Sequence, residues 1–112
     1  MKLDRTRELI YRGVDTQQPL NGLIHVLESA LELVALPDND FCWSSWKDAE
    51  EAKTEIESIV QLLQSGGLPD RLAVSVIFAP TGPLQEVSLS SGWADPFLKV
   101  AEKFDDLEKL IW

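Results

Sequence analysis

The sequence predicts an α+β domain, with amphipathic helices packed on one face of a small antiparallel β-hairpin in the order α-α-α-β-β-α. Three observations lead there. Apolar residues recur at spacings of three and four over 19–36, 45–64 and 95–112, the period of a helix with one buried face. Leu72, Val74, Val76 and Phe78 alternate with Ala73, Ser75, Ile77 and Ala79, and Val87 and Leu89 with Glu86, Ser88 and Ser90, the period of a half-buried strand. Pro80-Thr81-Gly82-Pro83 lies between those two runs and has the composition of a tight turn.

The opening stretch MKLDRTRELIYRGV predicts a short helix using Leu3 and Ile10 and closed by Gly13, with Leu9-Ile10-Tyr11 equally able to begin a strand. From Pro19, which suits a first helical turn, Leu20, Leu23, Ile24, Leu27, Leu31, Val34 and Ala35 form the stripe of a helix over 19–36. Pro37-Asp38-Asn39-Asp40 ends it, because proline breaks the hydrogen-bond ladder and Asp and Asn favour turns. Ser45 followed three residues later by Asp48 resembles a capping box. The stripe Trp46, Ala49, Ala52, Ile56, Ile59, Val60, Leu63 then predicts a helix over 45–64, stopped by Gly66-Gly67.

In the hairpin, facing Ala79 with Leu84 across the turn brings Val76 opposite Val87 and Val74 opposite Leu89, so both apolar sets share one face. Asp95-Pro96 reads as an N-cap and first helical position, followed by the stripe Phe97, Val100, Ala101, Phe104, Leu107, Ile111. A length of 112 residues suits one domain, since a second core would leave too little apolar surface for either half.

Composition narrows the function. The longest apolar runs, Leu33 to Leu36 and Val76 to Ala79, are four residues long, whereas a spanning helix needs about 20. Asp4 and Glu8 fall where a signal peptide would have its apolar region, so the cytoplasm is the expected location. Ten Lys and Arg against 19 Asp and Glu leave a net charge of −9, which repels nucleic-acid phosphates and anionic membranes. Residues 37–58 alone carry seven acids against Lys47 and Lys53.

Cys42 and His25 are the only residues of their types, so one chain cannot assemble a Cys/His metal cluster and no cofactor is expected. His25 lies beside Asn21, Glu28, Ser29 and Glu32 and reads as a solvated surface histidine; Cys42, without an adjacent base, reads as a small buried hydrophobe. Asp38-Asn39-Asp40 starts like a calcium loop but places Cys42 at the third ligand position and lacks the turn glycine, so it reads as a turn. No catalytic residue is assigned.

Two features point to protein binding. Of four tryptophans, Trp46 and Trp93 suit the core, while Trp43 and Trp112 are candidate anchors for a partner. Asp48, Glu51 and Glu55 align at helical spacing as an acidic docking face, with Lys47 and Lys53 expected to offset Glu51 and Glu57. The reading is a small acidic protein-binding module, an immunity- or antitoxin-like inhibitor of a basic partner. An uncovered hairpin edge also predicts a homodimer through joined strands. Two other classes stay open: a small-molecule sensor or small enzyme with a pocket between hairpin and helices, and a structural subunit of a larger assembly.

Overall fold

The computed structural model describes residues 3–112 and contains six helices in chain order: α1 (Asp4–Arg12), α2 (Pro19–Val34), α3 (Ala49–Gln64), α4 (Arg71–Phe78), α5 (Pro83–Ser91) and α6 (Ala94–Ile111). Helix accounts for 69% of the described residues and no strand occurs among them, which overturns the α+β expectation. The hairpin is absent, and the sheet edge proposed for a homodimer is absent with it.

The centre of the domain is α2, against which α1, α3 and α6 pack. Being covered from three sides widens its buried face: Leu23, Val26, Leu27, Ala30, Leu33 and Val34 are wholly inaccessible, while Leu20, counted in the expected stripe, is exposed. Burial of each such aliphatic side chain is worth about 1.5–3 kcal/mol. Gly22 permits the close approach of α6, because a Cβ there would stand 2.9 Å from a Leu107 methyl and from the Asp15 carbonyl oxygen. The expected stripes of α3 and α6 do face inward, with Ala52, Ile56, Ile59, Val60 and Leu63 from one and Phe97, Val100, Phe104 and Leu107 from the other.

Polar side chains fix how the elements meet. The Glu32 carboxylate of α2 receives the Thr6 N–H and hydroxyl, each at 2.8 Å, and the Arg5 N–H at 2.9 Å. It thereby satisfies orphan donors at the positive end of α1. The loop after α2 is held by Asn39, whose amide donates to the Leu33 and Val34 carbonyls at 2.9 and 3.1 Å and accepts the Trp93 indole N–H at 2.8 Å. One residue thus closes α2 and ties it to the α5–α6 junction.

Residues 71–91 differ most from expectation. Val74, Ile77 and Phe78 go into the core from α4, and Leu84, Val87 and Ser88 from α5, both at helical spacing. Leu72 and Val76, partners of Val74 in the expected alternation, point out of it instead. The run RLAVSVIF satisfies both periods, and the surrounding helices select the one that buries Ile77 with Phe78. The Pro80-Thr81-Gly82-Pro83 turn is real, but it joins two helices. Its Gly82 cannot carry a side chain, since a Cβ would lie 2.9 Å from the Ala79 carbonyl oxygen and closer still to that of Val76.

By length and composition Arg71–Ser91 could cross a membrane. The reversal at Ala79–Gly82 divides it into helices of 8 and 9 residues, each about 12–14 Å long. That is under half the roughly 30 Å of a bilayer's apolar core.

Candidate functional site

The acidic face expected on α3 is built as a helix start. Asp48 is the N-cap, its carboxylate accepting the Glu51 N–H at 3.0 Å, and the Glu51 carboxylate accepts the Lys47 N–H at 3.2 Å. This reciprocal arrangement lies three residues downstream of the expected Ser45–Asp48 box, so α3 begins at Ala49. Two of the three aligned acids are therefore engaged by the backbone. Glu55 is exposed and makes no ion pair among the described residues. Lys53 lies 3.7 Å from Glu50, so the expected Lys53–Glu57 pairing is replaced by one a turn earlier.

The candidate tryptophans separate. Trp43 is 76% exposed in the loop before α3, as an anchor requires. Trp112 is packed against the core after α6, with its indole nitrogen buried and without a hydrogen-bond partner among the described residues. Trp46 and Trp93 are buried, in keeping with a core role.

His25 and Cys42 exchange the environments expected of them. The His25 side chain is only 11% exposed. Its Nε2 lies 2.9 Å from the Arg5 carbonyl oxygen, a pure acceptor, so Nε2 donates. The imidazole joins α1 to α2, beside an Arg5 guanidinium that donates to Glu28 and Glu8. Cys42 is exposed. Asp40 accepts its backbone N–H at 2.9 Å. The hydrogen bond to Asp40 and the charge of that carboxylate push the thiol above its usual range. A thiol so held is a poor nucleophile at neutral pH. Among the described residues no three His, Cys, Asp or Glu side chains are grouped to hold a metal ion.

A surface that the linear sequence did not single out lies between α4 and α6. It is an open groove of about 510 Å³. Its floor is the stacked pair Phe78–Phe104, with ring centroids 4.8 Å apart and planes inclined by 18°. Leu72, Val76 and Leu98 border it and are 72%, 48% and 50% exposed, a contiguous group of large apolar side chains in water. Such groups on a small protein mark binding surfaces.

The far wall is acidic. Glu102, Asp105 and Glu108 line it at intervals of three along α6, whereas Lys99, Lys103 and Lys109 of the same helix do not. Glu108 accepts from Arg71 Nε at 3.2 Å. Glu102 and Asp105 have no ion-pair partner among the described residues. Partial burial pushes the Asp105 carboxyl up, and repulsion from Glu108, Asp106 and Glu102 adds to it.

No family model, no curated protein and no solved structure matches this chain. The functional reading therefore rests on the chain's own surfaces. Of these, the α4–α6 groove combines exposed apolar area with charge of a single sign. Gln85 also lines this groove, and its carboxamide oxygen accepts the Thr81 N–H and so braces the turn.

Proposed function

We propose that this chain is a small acidic protein-binding module that acts by occupying a basic partner, in the manner of immunity- or antitoxin-like inhibitors, with no chemistry of its own. The observation that carries this reading is the α4–α6 groove, where exposed Leu72, Val76 and Leu98 stand beside Glu102 and Asp105. Apolar contacts supply affinity there and the carboxylates supply discrimination, because a like-charged partner would be repelled. The net charge of −9 speeds encounter with a cationic protein before any contact is made. Glu55 and Trp43 extend the acidic and aromatic surface elsewhere on the molecule.

Affinity capture from the source cells tests the reading. The tagged chain is used as bait at about 0.1 M and about 1 M salt, between which the screening length falls from about 10 to about 3 Å. The expected result is a basic protein retained at the lower salt, lost at the higher, and not retained by a chain carrying Glu102→Lys and Asp105→Lys. A partner that is acidic, or that the reversed chain holds equally well at both salts, would contradict it.

A further inference from the structure

The two walls of the α4–α6 groove are chemically different, and that asymmetry constrains what can fill it. On the α4 side the lining groups include exposed Leu72 and Val76 and half-buried Ser75, with no acid among them. On the α6 side Leu98 is followed by Glu102, Asp105 and Glu108. An occupant must therefore present an apolar stripe to α4 and the Phe78–Phe104 floor, and cationic groups along one edge to α6. Arg71 at one end, paired with Glu108, directs those cations towards Glu102 and Asp105.

We infer that the segment of the partner that enters this groove is a basic amphipathic α-helix of about three turns. The inference rests on the reading of the chain as a binder of a basic protein. The α6 wall from Leu98 to Glu108 is eleven residues of helix, about 15 Å from first to last, which matches some eleven residues of a helix laid beside it. A helix meets both needs at once, since residues at i, i+3, i+4 and i+7 share one stripe and their neighbours flank it. An extended segment is less suited: it alternates its side chains between opposite faces, and no strand edge among the described residues is available to pair with it.

The test uses three labelled synthetic peptides of about 14 residues, long enough for four turns, read by fluorescence anisotropy. One carries leucines at i, i+3, i+4 and i+7 with lysines along one flank. The second is a scramble of the same composition without an apolar stripe, and the third replaces the lysines with glutamates. The intact chain should bind the first at least about tenfold more tightly than either other peptide, a difference of about 1.4 kcal/mol. Glu102→Lys with Asp105→Lys should lose at least about tenfold, and so should Leu72→Lys, an exposed α4 position that guards against a fold defect in α6. Glu50→Lys with Glu57→Lys on α3, exposed acids away from the groove, should leave affinity unchanged.

Equal binding of the scramble would overturn the helix and leave the basic-partner reading standing. Loss through the α3 substitutions alone would overturn the groove and leave that reading standing. Equal binding of the glutamate peptide would sink both. Sedimentation showing a dimer that Leu72→Lys dissociates would assign the groove to a second copy of this chain and overturn the inference.

Discussion

Asp105 carries its charge at an energetic disadvantage. Its carboxyl is pushed above the ordinary aspartate value, about 3.9, by partial burial first and by three neighbouring acids second. The folded chain holds that proton more firmly than the unfolded chain does. Its contribution to stability is therefore full below the ordinary value and is lost as the pH rises through the raised one. Asp105→Asn should accordingly stabilise the protein at neutral pH by at most about 0.5 kcal/mol, the scale of a like-charge pair on one helix face, because solvent screens this exposed carboxylate. Thermal denaturation at pH 7 should show the gain, and at pH 3 the difference should nearly vanish. A lower melting temperature for the variant at pH 7 would show that another group already neutralises Asp105.

Single residues were legible in the sequence where their role is local. Trp46 and Trp93 could be placed from the size of the core they had to close, whereas spacing puts the capping box at Ser45–Asp48, three residues before the Asp48–Glu51 start that the chain adopts. His25 and Cys42 were not legible, because their environments depend on distant partners: the Arg5 carbonyl 20 residues away for one, and the direction taken by an irregular loop for the other. The acidic wall at Glu102, Asp105 and Glu108 was visible as a spacing, but its significance depends on α4 lying opposite.

At the scale of elements, α2, α3 and α6 were readable because each has a long stripe of one period. Residues 71–91 were not, since eight residues such as RLAVSVIF fit a period of two and a period of 3.6 alike. Boundary signals in the same segment favoured helix: Pro83 at a first helical position after Gly82, and Gly92 in the left-handed region at φ 86°. Those signals are local chemistry, whereas the apparent alternation came from a few coincident valines and leucines. The turn between α4 and α5 makes the distinction testable. Gly82→Ala forces a methyl group into the Val76 and Ala79 carbonyls, at a cost of about 1–3 kcal/mol, the range for overpacking. Urea denaturation followed at 222 nm should show that loss, and an unchanged midpoint would mean that the turn is open rather than closed as described.

For the molecule as a whole, one core organised around α2 leaves most acids on the outside and one apolar groove uncovered. Net charge gives the sign of the preferred partner, and the groove gives a place where sign and apolar contact coincide. The measurement closest to this account is a titration of the ¹⁵N-labelled chain with the lysine-flanked peptide, followed by amide chemical shifts. The account predicts changes concentrated in α4 and in Leu98–Glu108 of α6, with α3 unmoved. Changes confined to α3 and the loop carrying Trp43, or spread evenly over the acidic surface, would contradict it.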